Sequence, residues 1–176
     1  GIDLLNEEQQ IEVVTDIQFT FINTAMIENE LANWPPCIGN PRPGREDILV
    51  HLCHGAPGMV IGLADLWHLG STQTQELLIK AGNLIWAAGP LVKPWGLCHG
   101  TAGNGYVFLK LYDLTKNDVW LTRARQFAMH AITQSELARE KYGMIRTDAW
   151  CGDTGLALFL QSCIQKKADF PMVDYF

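Results

Sequence analysis

Three short turns with the spacing Gly-x-x-Gly divide this sequence and constrain its fold more than any other feature. Their glycine pairs are Gly55/Gly58, Gly100/Gly103 and Gly152/Gly155, so successive turns begin 45 and 52 residues apart. Each turn is followed by an apolar segment, and the first two of these segments are followed by a more amphipathic one. Repeats of this length are typical of stacked helical hairpins. The sequence therefore predicts an internal repeat of hairpins, with the first helix of each pair buried and the second solvated.

The apolar periodicity also predicts the individual helices. They are expected over residues 7–31, 59–70, 72–88, 106–114, 118–135 and from the third turn onwards. In the first helix, Ile11, Ile17 and Phe21 belong to the predicted apolar face, and the helix must end before the proline-rich loop that follows. Thr72 and Gln75 resemble a capping box at the start of the third.

Length and charge restrict the kind of protein. With 176 residues, the chain predicts one domain over residues 1–176, and because it begins at Gly1 we expect it to be part of a longer polypeptide. No apolar run reaches the roughly 20 residues that span a bilayer, and no basic-then-apolar leader opens the chain, which favours a soluble cytoplasmic protein. A net charge of −6 with dispersed basic residues excludes a nucleic-acid footprint.

The chain has five cysteines, an odd number that argues against a disulfide framework and favours metal binding or thiol chemistry. Cys37 and Cys163 stand outside the glycine turns, and free cysteine is commonly a small buried apolar residue. We therefore expect these two side chains to be buried fillers. Cys53 and Cys98, in contrast, each belong to a Cys-His-Gly triplet that opens a turn.

The two triplets lie at equivalent points of neighbouring repeats, so the predicted fold brings them together. Zinc binds thiolate and imidazole ligands, and the candidates are Cys53 and Cys98 with one or both of His54 and His99. Four protein ligands would close the site, whereas three would leave one position open for a substrate. The alternative is that the glycines only allow the inner helices to begin close together, while the histidines bond to neighbouring carbonyls.

The quoted motifs also carry a resemblance to a known family. "LVHLCHGAPGMV" and "KPWGLCHGTAGNGYVFL", followed by "IRTDAW" and "CGDTGLALFL", resemble the lanthionine synthetase C-like family, in particular its eukaryotic-type members. The resemblance covers about residues 34–176. It implies an all-α fold, an α/α toroid of seven helical hairpins, of which a chain of this length holds about three.

The resemblance implies one zinc ion, held by Cys53, Cys98 and His99, with His54 beside the metal rather than on it. One departure from the family is Cys151, in a place where several eukaryotic-type members carry an acidic residue. Its thiol either lines the cavity or fills the core, and we favour the filler.

The resemblance further implies a thiol substrate, either glutathione or a peptide cysteine, that adds to dehydroalanine or dehydrobutyrine and forms a thioether. Lys93 and Arg146 stand at positions tied to glutathione in the eukaryotic-type members. His54 could then supply the proton that the addition requires, and Lys93 could stabilise an enolate or a glutathione carboxylate. Two other hypotheses are a non-catalytic zinc- and glutathione-binding protein that regulates or scaffolds partners, and a helical repeat without metal.

Overall fold

The computed structural model describes residues 4–39, 49–92 and 94–174. The described part of the chain contains seven helices: α1 Glu7–Asn23, α2 Ala56–Leu63, α3 Leu66–Leu69, α4 Thr72–Ala88, α5 Thr101–Thr115, α6 Asp118–Tyr142 and α7 Asp153–Gln165. The strands β1 Met26–Glu28 and β2 Leu31–Asn33 form a small antiparallel sheet. The prediction of an all-α fold is confirmed, apart from this one hairpin.

Helix α1 is shorter and less buried than its periodicity predicts. A capping box begins it, because Asn6 Oδ1 accepts from the amide of Gln9 and Gln9 Oε1 accepts from the amide of Asn6. The predicted extension to residue 31 is wrong, since the helix ends at Asn23. The predicted apolar face is also wrong for Ile11 and Ile17, which are 62% and 36% exposed; Phe21 is the buried residue of α1.

The strands that replace the end of the predicted first helix form a tight hairpin. Met26 pairs with Asn33 and Glu28 with Leu31, while Asn29 adopts the left-handed conformation (φ 55°) that asparagine tolerates. Trp34 follows β2 and anchors the hairpin to α1, with its ring 4.6 Å from that of Phe21. The hairpin thereby carries Asn33 into the core, where its side chain reaches the first glycine turn.

The first repeat contains α2, α3 and α4. The single helix predicted over residues 59–70 is wrong, because the chain is divided after Leu63 and the amide of Trp67 bonds three residues back to the carbonyl of Ala64. The predicted capping box at Thr72 is also wrong: Ser71 is the N-cap, and its hydroxyl accepts from the amide of Thr74.

The second repeat, α5 and α6, confirms the predicted inner and outer helices. All residues from 101 to 109 are buried in α5, whereas α6 buries one face and extends to Tyr142, beyond the predicted end at residue 135. Phe108 of α5 meets Phe127 of α6 with ring centroids 4.9 Å apart. Gly82 lets α4 pack closely against α5, because a Cβ at this position would lie 2.2 Å from Leu111 Cδ1 of α5.

Helix α7 follows the third turn and packs against α5. A Cβ on Gly105 would lie 2.2 Å from the ring of Phe159, so this glycine permits the contact between the two helices. The described residues thus form two hairpins and a third inner helix. The closed toroid of seven hairpins remains a prediction from the resemblance. No helix of the described segments combines the length and apolar character needed to cross a membrane.

Candidate metal centre

The three glycine turns share the same two close carbonyl contacts, although Gly55 has a positive φ (96°) whereas Gly100 and Gly152 are extended (φ −126° and −125°). A Cβ on the first glycine of each pair would lie 2.1–2.3 Å from the carbonyl oxygen six residues earlier, which belongs to Leu49, Pro94 and Arg146 in turn. A Cβ on the second glycine would lie 1.8–2.2 Å from the carbonyl oxygens of Leu52, Leu97 and Ala149, again six residues earlier. No other residue fits so close to a carbonyl, which explains the Gly-x-x-Gly spacing. The repeat predicted from the sequence is therefore a repeat of this turn.

The first turn holds Cys53 at the corner of a small loop. His51 and His54 exchange two backbone hydrogen bonds of 3.0 and 3.1 Å, so the loop closes around the two residues between them. Asn33 supports the following helix, because its Oδ1 accepts from the amide of Ala56 at 2.7 Å. A side chain from the β-hairpin thus satisfies the amide at the start of α2, where a backbone carbonyl serves in the other two turns.

In the second and third turns, the amide at the start of the following helix donates to a backbone carbonyl of the same turn. The amide of Thr101 donates to the carbonyl of Pro94, and that of Asp153 donates to the carbonyl of Arg146, each seven residues earlier. The turns are also bonded to each other, because the amide of Cys98 donates to the carbonyl of Trp150 at 2.8 Å. These bonds fix the chain direction on both sides of the Cys98 side chain.

Asn104 joins the second repeat to the first. This buried residue of α5 donates from Nδ2 to the carbonyl of Val50 at 2.9 Å, three residues before Cys53. All three turns are therefore connected by hydrogen bonds that run between repeats. The Cys-His-Gly triplets lie side by side, as the sequence predicts.

Cys53, Cys98 and His99 form a group that could hold a metal ion, since one donor atom from each lies within 4.8 Å of the others. The Cys53 and Cys98 sulfur atoms are 2.6 Å apart. Two thiolates on one tetrahedral zinc lie about 3.8 Å apart, so the sulfurs need a small side-chain rotation to accept the ion. Two thiols and an imidazole suit zinc chemically, and three protein ligands are the set that leaves one position open.

The thiol of Cys98 stays protonated near neutral pH when no cation is present. Desolvation by burial, and after it the adjacent thiols of Cys53 and Cys151, together raise its pKa to about 12. A bound divalent cation reverses this effect, because a coordinating thiol is deprotonated outright. The arrangement therefore favours a cation over two free thiolates.

The two remaining histidines of the first motif surround this group. His54 is half-buried and lies outside the three-residue donor group, as the resemblance implies. The ring of buried His51 lies 5.6 Å from that of His54 and 6.1 Å from that of His99, measured between centroids. The sequence alone indicates no role for His51, although this residue stands in the motif "LVHLCHGAPGMV".

Cys151 is not the buried filler that the sequence favoured. It is half-buried, and its Sγ lies 3.8 Å from Nε2 of His99. Its amide donates to Oδ1 of Asp148 at 2.6 Å. Desolvation raises the pKa of this thiol, the Asp148 carboxylate raises it as well, and the guanidinium of Arg146 acts in the opposite direction. Cys37 is also not buried but exposed, whereas Cys163 is buried as predicted.

Arg146 is exposed and lines a cleft of about 580 Å³ beside the second and third turns. Trp95, Leu137 and Tyr142 supply apolar walls. Among the described residues, the cleft thus combines the guanidinium of Arg146 with apolar surface. Lys93, which the resemblance also ties to glutathione, lies outside the described residues.

The fold and this site define an α-helical repeat protein whose glycine turns carry a Cys-Cys-His group that could hold a metal ion. Residues 3–174 match the family model described as "Lanthionine synthetase C-like protein". The chain belongs to this family, and the resemblance predicted from its motifs is confirmed.

Two curated relatives are similar to the chain over part of their length. A zebrafish (Danio rerio) protein named glutathione S-transferase LANCL1 is 44% identical over 97 residues, which cover 54% of this chain and 23% of that protein. The LanC-like protein GCL1 of Arabidopsis thaliana is 41% identical over 124 residues, 68% of this chain and 27% of that protein. The chain thus aligns with about a quarter of the length of each.

Proposed function

We propose that this chain uses a zinc ion to activate a thiol, which adds to dehydroalanine or dehydrobutyrine and forms a thioether. The observation that carries the proposal is the convergence of Cys53, Cys98 and His99 at the open end of the inner helices. Family membership supports it, because this donor group is the one that the resemblance implies for zinc. When bound there, zinc would lower the pKa of a substrate thiol and keep its sulfur nucleophilic at neutral pH.

Glutathione is the thiol that the comparisons favour, and a peptide cysteine is the other candidate. The relative from zebrafish is named a glutathione S-transferase. Glutathione carries two carboxylates, which suit cationic side chains, and Arg146 lines the cleft beside the second and third turns. We propose that Arg146 and Lys93 bind these carboxylates.

The addition needs a proton as well as a nucleophile. The thiolate sulfur bonds to the β-carbon of the dehydro residue, the carbon–carbon double bond becomes single, and the electron pair moves towards the neighbouring carbonyl. The α-carbon then takes up a proton. We propose His54 as its donor, because imidazole titrates near neutral pH and this side chain is half-buried beside the donor group. Lys93 would stabilise the negative charge on the carbonyl oxygen.

Metal analysis of the purified protein tests the ligand set. We expect about one equivalent of zinc in the wild type and its loss in Cys98→Ala. Cys37→Ala is the matched control, because Cys37 is exposed and lies outside the donor group. Unchanged zinc in Cys98→Ala would contradict the assignment.

Incubation with glutathione and a dehydroalanine peptide tests the reaction. The expected product is a peptide whose mass increases by one glutathione, formed faster than in buffer or with Cys98→Ala. A non-catalytic zinc- and glutathione-binding function is the second candidate, because the donor group by itself would support metal binding without catalysis. Binding of glutathione without adduct above the uncatalysed background would support that candidate.

We also propose that residues 1–176 belong to one domain of an α/α toroid that acts in the cytoplasm. The shared glycine contacts of the turns and the inner and outer helices support the toroid. Imaging of a tagged protein in cells tests the location.

A further inference from the structure

Cys151 occupies the same place in the third turn as the two motif histidines occupy in the first and second. Each of these residues directly precedes the first glycine of its pair: His54 before Gly55, His99 before Gly100 and Cys151 before Gly152. The second and third turns share their glycine contacts and their backbone angles at the first glycine, with φ −126° at Gly100 and −125° at Gly152. The third turn therefore presents Cys151 to the centre in the way that the second presents His99.

Cys151 lies close enough to one member of the donor group to share an ion with it. Its Sγ is 3.8 Å from Nε2 of His99, a separation that also fits a hydrogen bond involving sulfur. A thiolate and an imidazole nitrogen on one tetrahedral zinc, at about 2.3 and 2.0 Å from the metal, lie about 3.5 Å apart. Cys151 is outside the group whose donor atoms all lie within 4.8 Å of one another, so its side chain must turn towards Cys53 and Cys98 to reach the same ion.

The backbone holds Cys151 at this distance. The carbonyl of Trp150 accepts from the amide of Cys98, so the two turns are bonded directly beside both cysteines. Gly96 permits the approach, since a Cβ there would lie 2.5 Å from Cys151 Cα. Asp148 fixes the other side of the residue by accepting from its amide. Cys151 is thus held against the second turn by contacts on both sides.

We propose that Cys151 is a fourth protein ligand to the zinc, which a substrate thiol replaces on binding. This inference rests on the proposed function, because it needs the ion at Cys53, Cys98 and His99. With Cys151 bound, the protein itself would fill all four positions around the zinc before a substrate arrives, whereas three ligands would leave one position open. The chain would then protect its metal from unrelated ligands until a thiol substrate arrives.

The replacement balances in protons and charge. The sulfur–hydrogen bond of the incoming thiol breaks, its proton moves to the Cys151 sulfur, and one thiolate takes the place of another. No external base is needed. Three thiolates and one imidazole give the zinc site a charge of −1 before and after the exchange, and the nearby guanidinium of Arg146 partly offsets that charge.

Cobalt substitution counts the thiolates directly. Co²⁺ takes the place of zinc, and the intensity of its thiolate charge-transfer band rises with the number of bound sulfurs. We expect the band of Cys151→Ser to fall to about two thirds of that of the wild type, because two of three thiolates remain. Cys37→Ser should leave the band unchanged, and circular dichroism verifies that each variant is folded.

Glutathione provides a second measurement on the same samples. It should leave the wild-type band nearly unchanged, since one thiolate replaces another, and should raise the band of Cys151→Ser by about half to the wild-type intensity. Equal bands in the wild type and Cys151→Ser would overturn the ligand role of Cys151 while leaving the proposed function intact. A wild-type protein that binds no cobalt or zinc would overturn both.

Discussion

The close approach at Gly103 makes a quantitative prediction about the second turn. A Cβ at this position would lie 1.8 Å from the carbonyl oxygen of Leu97, whereas ordinary van der Waals contact begins at 3.4 Å. The obstructing atom belongs to the backbone and Leu97 is fully buried, so neither side can yield without moving the turn. Overpacking of this kind typically costs about 1–3 kcal/mol, and we expect Gly103→Ala to reach about 3 kcal/mol.

Thermal unfolding measures this cost. For a domain of this size, 1 kcal/mol shifts Tm by about 2–4 °C, so Gly103→Ala should lower Tm by about 6–12 °C. The variant should also bind zinc more weakly, because Leu97 directly precedes Cys98. Calorimetry with added zinc and with a chelator separates the two effects.

Gly62→Ala is the matched control for this substitution. Gly62 lies within α2, is exposed, and has no atom within 4 Å of an added Cβ. Alanine in a helix interior is about 0.5–1 kcal/mol more favourable than glycine, so Tm should rise by about 1–4 °C. A Gly103→Ala protein within 2 °C of the wild type, or a Gly62→Ala protein that is equally destabilised, would refute the reasoning.

Two further predictions concern buried polar groups. Burial raises the pKa of Cys163 to about 12, above the value of 9.0 for the free thiol, so the unfolded chain loses this proton first and the free energy of unfolding falls as pH rises from about 9 to 12. Cys163→Ala should reduce that fall in urea titrations across this pH range, and an unchanged slope would contradict it. Asn104→Leu removes the bond to the carbonyl of Val50 and should cost about 1–3 kcal/mol by chemical denaturation. It should also weaken zinc binding, and a variant with wild-type stability would show that this link between repeats is dispensable.

The repeat and the meeting of its two Cys-His-Gly triplets were predictable because they depend on local backbone constraints. Glycine at two fixed positions is required wherever a carbonyl approaches as closely as that of Leu97 does. The same spacing therefore marks each turn in the sequence. Neighbouring repeats then bring equivalent residues together, and Cys53 and Cys98 meet although 45 residues separate them.

Features that depend on tertiary contacts could not be predicted in this way. The β-hairpin has strands of three residues each, too short to produce a clear alternating pattern, and Trp34 stabilises it by packing on Phe21. The exposure of Ile11 depends on what covers α1, which periodicity alone does not report.

The position of Cys151 could have been inferred from the sequence. Aligning Gly152 with Gly55 and Gly100 places Cys151 in the same column as His54 and His99. The prediction that Cys151 fills the core rests instead on the general tendency of free cysteine to be buried. The structure supports this alignment, because equivalent glycines of the turns approach equivalent carbonyl oxygens.

The hydrogen bond from Cys98 to Trp150 has a consequence for the order of folding. Each helix can form from contacts near in sequence, but this bond and the donor group require segments 45 and 52 residues apart to dock first. Closing loops of this length has an entropic cost, so the site should be among the last features to form. The proposed metal would then bind late, after the two hairpins and the third inner helix have docked against one another.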